Sequence, residues 1–206
     1  SNGAAIENVP SGDRLMSRVI PEEAVHEILR SFPDVYMLEA FIEGQPYCDS
    51  EYMKDPERYG CSKDYVNYVQ TTRLPVDDMR AFISENASHL DSIDLICRNI
   101  GEKAEYYKKA KEIDGVYVTS SSPRLVEISD AGAGKGRALR YLCTRLGLNP
   151  ENVAAFGNGD NDADMLSFAG FGVAVGNATE ACKAAADYVC ETNNELGVAK
   201  TLLKLI

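Results

Sequence analysis

An apolar run, Val153-Ala-Ala-Phe156, ends at Gly157 and opens at once into Asn158-Gly159-Asp160-Asn161-Asp162. Met165, Leu166, Phe168 and Ala169 then supply the apolar side of a short helix. A buried strand that ends in clustered carboxylates and amides restricts the fold more than any other stretch. Oxygens held this close repel one another, and a hard cation such as Mg²⁺ is the usual partner that offsets the repulsion. An Asn/Asp-rich turn with left-handed residues and helix N-caps explains the same residues without a ligand. The loop by itself leaves both readings open.

The flanking sequence narrows the architecture. From Arg124 onward, apolar strand-like runs alternate with helical spacing: Arg124–Ser129, then Ala138, Leu139, Leu142 and Leu146, then Val153–Phe156, then Gly172–Val175. Alternation of this kind predicts βαβ units and a parallel sheet. Upstream the pattern is mixed. Ala4–Glu7 and Arg14–Ile20 read as a hairpin across the turn cluster Asn8–Asp13, and Pro21-Glu22-Glu23 opens a helix. Val35–Ile42, Ser92–Cys97 and Gly115–Thr119 read as strands, while Pro75–Ser88 and Gly101–Ile113 read as helices. Residues 47–74 resist assignment. They hold five tyrosines (Tyr47, Tyr52, Tyr59, Tyr65 and Tyr68), for which half-buried packing is favoured over contact with a substrate. The expected organisation is α/β: a short segment at residues 1–9, an α+β domain at 10–120 and a parallel α/β domain at 121–206.

Charge and cysteine usage exclude several functions. A formal net charge of −11 argues against a nucleic-acid or anionic-membrane surface, either of which wants a basic patch. It leaves a phosphate substrate open, because one well-placed Lys outweighs a distant acidic surface. The six cysteines form no Cys-x-x-Cys pair and only two histidines accompany them, which argues against a zinc site. Reduced, packed thiols fit a cytoplasmic protein. No apolar run approaches the ~20 residues that span a bilayer, and Ser1–Pro10 lacks the basic start and apolar core of a signal peptide.

A second small-residue loop, Asp130-Ala-Gly-Ala-Gly-Lys135-Gly136, stands between a strand and a helix. Such a loop lets backbone approach a ligand, and the helix N-terminus that follows favours an anion. Lys135 is placed where it could neutralise a phosphate, although a solvated Lys at a turn accounts for it as well. The Walker pattern is absent, since Gly136 and Arg137 follow the lysine. Downstream, either Asn177 or Thr179 caps the helix that runs to Ala186, and Asn177 is also a candidate ligand group.

Taken in order, these pieces resemble the C-terminal half of the haloacid dehalogenase superfamily. The set is Lys135-Gly136, Gly157-Asn-Gly-Asp-Asn161-Asp162 with Met165-Leu166, Gly172-Val-Ala-Val-Gly-Asn-Ala178, and Ala186-Asp187. It is most similar to the Cof-like branch of sugar-phosphate phosphatases, and Asn2-Gly3-Ala4 resembles that family's turn before its cap hairpin. The resemblance implies a Rossmann-like core, of which the C-terminal half is present, with an inserted α+β cap. It implies a Mg²⁺-dependent phosphatase of small phosphorylated metabolites that works through an aspartyl-phosphate. Lys135 would be catalytic; Lys135, Asn161 and Asn177 would face the phosphate; Asn158, Asn161 and Asp162 would hold the metal. Two departures accompany this. The family's nucleophile motif, Asp-x-Asp-Gly-Thr, is nowhere in the sequence, so the 206 residues are expected to be inactive alone and to need a preceding segment or a second chain to complete the core. The other departure is Asn158, which stands where the family has a metal-binding Asp; a register shifted by two would make Asp160 the ligand instead. A remnant that binds phosphate or a partner without catalysis is the alternative reading.

Overall fold

A computed structural model describes residues 2–205. Two compact units are present: one runs from Gly3 to Ala133, and the other comprises Asn2 and everything from Gly134 onward. The first therefore extends past the boundary expected near residue 120.

The first unit begins with an antiparallel hairpin, β1 (Ala5–Asn8) and β2 (Asp13–Ser17). Its main body is a six-stranded sheet built from β3 (Met37–Ile42), β4 (Gln45–Asp49), β5 (Leu74–Val76), β6 (Leu90–Ile96), β7 (Val116–Thr119) and β8 (Leu125–Asp130), in the order β5-β4-β3-β6-β8-β7. Among the described residues of this sheet only the β4–β5 pairing is parallel. Strand β8 corrects the sequence reading. It lies antiparallel between β6 and β7 and closes the first unit rather than opening a parallel one. The intractable stretch from Tyr47 holds the end of β4, helix α2 (Ser50–Lys54), a 3₁₀ turn at Pro56–Tyr59, helix α3 (Lys63–Thr72) and the start of β5. The helix expected over Pro75–Ser88 shrinks to α4 (Met79–Glu85), because Leu74–Val76 pairs with β4 instead.

Alternation along the strands sorts the two faces of this sheet. Leu38 and Ala40 of β3, Ile93 and Leu95 of β6, and Val126 and Ile128 of β8 join the main core. Helices α1 (Glu22–Ser31), α4 and α5 (Ile100–Ala110) cover them, with Val25, Ile28, Met79, Ile83 and Ala110 buried. The opposite face carries a row of acids. Glu39 stands opposite Asp94, and Asp94 opposite Glu127. All three are buried, and Arg73 bonds Glu39 Oε2 at 3.1 Å. Beside them a small cluster of Met37, Cys48, Tyr52, Val69 and Ile96 packs with Tyr36 and Tyr59. The packing role favoured for the tyrosines thus holds for Tyr47, Tyr52 and Tyr59, whereas Tyr65 and Tyr68 are exposed.

The second unit is a parallel sheet of three strands, β9 (Ala154–Gly157), β10 (Phe171–Ala174) and β11 (Tyr188–Val189), in the order β11-β10-β9. Helices α6 (Lys135–Leu146), α7 (Ala163–Phe168), α8 (Glu180–Ala184) and α9 (Gly197–Leu205) accompany it. Its core is small-sided: Ala155, Leu166, Ala169, Val173, Ala174, Val175, Ala178 and Cys182. Among the described residues no helix is long and apolar enough to cross a membrane.

Candidate active site

The site lies in the second unit, where β9 ends and α6 begins. Lys135 is the first residue of α6, and its ammonium donates to Asp162 Oδ1 at 2.5 Å. Asp162 is buried, and its other oxygen, Oδ2, accepts the backbone N–H of Asn158 at 2.7 Å and of Gly159 at 2.9 Å. Burial by itself would raise the Asp162 carboxyl. The Lys135 hydrogen bond and the two backbone N–H groups outweigh it and hold the group below its ordinary range.

This convergence needs a glycine on each side. A Cβ on Gly157 would sit 2.5 Å from the Asp162 Cβ, so only a bare backbone lets the loop fold back onto the strand end. A Cβ on Gly136 would sit 2.6 Å from the Asp164 carbonyl oxygen, which brings the start of α6 directly against α7.

Asn161 is buried at 7% exposure, and its side-chain N–H donates to Asn2 Oδ1 at 2.9 Å. The Asn2 backbone carbonyl in turn accepts the Gly134 N–H at 3.0 Å. Asn2 thus bonds both chemistry-bearing loops although it is remote from them in sequence. Asn158 is exposed, and its backbone does the anchoring, since its carbonyl also accepts the Thr179 N–H at 2.9 Å. The capping alternative resolves to Thr179, whose hydroxyl accepts the Cys182 N–H. The Asn177 side chain accepts the Asn193 N–H at 3.3 Å, and no bond joins it to Lys135 or Asp162 among the described residues. Asp160 is exposed, while Asp164 Oδ1 is buried without a hydrogen-bond partner among the described residues.

The donor set is incomplete for Mg²⁺ among the described residues. Among the described residues no three His, Cys, Asp or Glu side chains come together as a metal-holding group. Asp162 already accepts from an ammonium and two amides, and Asn158 and Asn161 are neutral. Mg²⁺ gives up water reluctantly and is bound through carboxylates. These residues can lend a Mg²⁺ site an amide oxygen but do not form one alone.

The Lys135 ammonium and the N-terminus of α6 bring N–H donors to the same place as the Asp162 carboxylate. The family model for haloacid dehalogenase-like hydrolases matches residues 1–202. The chain belongs to that family. Over 101 residues, 49% of the chain, it is 43% identical to the 5-amino-6-(5-phospho-D-ribitylamino)uracil phosphatase of Bacillus subtilis, covering 39% of that protein. Over 72 residues, 35% of the chain, it is 51% identical to a phosphoglycolate phosphatase of Methanopyrus kandleri, covering 31% of that protein. These matches span under half the length of either relative. A solved haloacid dehalogenase-like hydrolase from B. subtilis superposes with a TM-score of 0.83 at 26% identity, over 100% of this chain and 78% of that one. Another, from Bacteroides thetaiotaomicron, gives 0.76 at 25% identity, over 100% and 74%.

Within this chain, the signal for Lys135, Asn158, Asn161 and Asp162 was local and readable. Asn2 was not singled out as a site residue, because nothing in a sequence marks a side chain as the acceptor for an amide 159 positions away.

Proposed function

We propose that the protein is a phosphoric monoester hydrolase of small phosphorylated metabolites, acting through an aspartyl-phosphate whose nucleophile is absent from these 206 residues. The observation that carries this reading is Lys135, held by Asp162 at the N-terminus of α6. An ammonium has three N–H donors, and Asp162 takes one of them. The remainder, with the adjacent helix start, would bind the transferring phosphoryl oxygens and stabilise charge as it develops. Asn161 would orient the same group through its amide, and Asp162 would keep the Lys135 ammonium charged and fixed. Asn177 remains in the proposal as an accessory phosphate contact only. Asn158, exposed in the loop, would lend an oxygen to a bound Mg²⁺, which would supply positive charge against the phosphoryl group. The first unit takes the part of the cap that selects the leaving group, by analogy with the family. Matches to phosphatases of a ribitylaminouracil phosphate and of phosphoglycolate support a small phosphorylated metabolite as substrate without choosing one.

A phosphate-binding protein without turnover is the second reading. Release of phosphate from an aryl phosphate with Mg²⁺ distinguishes them. The 206-residue chain should show none above background, since losing a nucleophile removes most of an enzyme's acceleration. A longer form carrying the motif should turn over, and Lys135→Ala should lower its rate by about 10²-fold or more. No turnover by that longer form would favour the second reading; unchanged kinetics in Lys135→Ala would return the lysine to a solvated turn.

A further inference from the structure

We infer that Asn2 is a positioning residue for the anion site: its side-chain oxygen fixes the Asn161 amide, and its backbone carbonyl fixes the start of the Lys135 helix. The inference rests on the proposed phosphate site. Asn161 is buried, yet its carboxamide is rotatable and presents an oxygen to one side and an N–H pair to the other. For an anion the two orientations are opposite in sign. An acceptor on one N–H selects the orientation, and Asn2 Oδ1 at 2.9 Å is that acceptor. On the other side of the amide, Asn161 Oδ1 lies where a Cβ on Gly159 would come within 2.6 Å, so that oxygen rests over the loop backbone. The second N–H is then left to donate to a phosphate oxygen.

The backbone of Asn2 completes the arrangement. Its φ is +45°, a left-handed conformation that Asn and Gly tolerate and most residues resist. Its carbonyl receives the Gly134 N–H, one residue before Lys135. One residue therefore sets the orientation of an amide in one loop and the entry of the helix that carries the ammonium.

Titration of orthophosphate into the ¹⁵N-labelled 206-residue chain, followed at the Asn161 side-chain amide, tests this. Asn2→Gly keeps the left-handed backbone and its carbonyl and removes the side-chain acceptor. It should shift the Asn161 amide resonance before phosphate is added and weaken phosphate binding by about tenfold. In an Asn161→Ala background the same change should have little further effect, because Asn2 acts through Asn161. Asn2→Asp keeps an acceptor and tolerates the same φ, so it should leave the Asn161 resonance near its original position and guard against a folding defect in the glycine variant. Wild-type affinity in Asn2→Gly, or an equal loss with and without Asn161, would overturn the positioning role. Absence of phosphate binding by the unmodified chain would overturn the proposed site itself, and the inference with it.

Discussion

At the scale of single residues, Asp162 serves as an electrostatic hub. Its two oxygens gather an ammonium and two amide N–H groups, and that gathering gives the loop its shape. Because its carboxyl is held below the ordinary range, its stabilising contribution is present above that range and is lost as pH falls below it. Gly157→Ala should be costly here, since the added methyl meets the Asp162 side chain at 2.5 Å. We expect a loss of about 1–3 kcal/mol, the usual range for overpacking, read by denaturant unfolding. The metal question also belongs to this scale. If Asn158 is the metal donor, Asn158→Asp in a form that turns over should lower the Mg²⁺ concentration for half-maximal rate. If Asp160 is the donor, Asp160→Ala should abolish the metal response while Asn158→Asp leaves it flat. A Mg²⁺ titration of both variants separates the two registers.

At the scale of elements, the acidic row across β3, β6 and β8 works in the opposite direction. Burial raises the Asp94 carboxyl well above its ordinary range, and the neighbouring Glu127 and Glu39 add to the effect. Glu39 is also raised by burial, with Arg73 opposing. Groups that bind protons more tightly when folded make stability fall as pH rises from the ordinary carboxylate range towards their raised values. Asp94→Asn should flatten that fall. Melting temperature measured from roughly pH 5 to pH 8 should drop less steeply in the variant than in the parent protein; parallel curves would show that Asp94 does not titrate there. Two strands were concealed by proline: Pro46 and Pro75 disguised β4 and β5 as turn and helix start. The hairpin, α1, α6 and the β9 loop were legible because local signals (turn clusters, first-turn acids, apolar period) agree with the tertiary structure there. The place of β8 was not, since strand partners are chosen by contacts remote in sequence. The partnership of Lys135 with Asp162 was hidden for the same reason.

At the scale of the whole molecule, apolar exposure is unevenly shared. Eight of the fourteen exposed large hydrophobic residues among those described lie beyond Gly134: Leu146, Leu148, Tyr188, Val189, Leu196, Leu202, Leu203 and Leu205. A parallel sheet normally buries both faces, and three strands are few for that purpose. The 206-residue chain should therefore bind an apolar dye or self-associate. A monodisperse monomer that leaves the dye dark would count against this expectation.

The hydrogen bond from Gly134 to Asn2 has a bearing on how such a protein can be rearranged. The polypeptide leaves the second unit after Asn2 and re-enters it at Gly134, so exit and entry are one hydrogen bond apart. Everything between them is a detachable cassette in the topological sense. Rejoining its two ends asks only for a short connector, and the entropy of closing a loop grows slowly with its length. Lineages could exchange one cassette for another of different size at these two positions, and a bench graft would follow the same route.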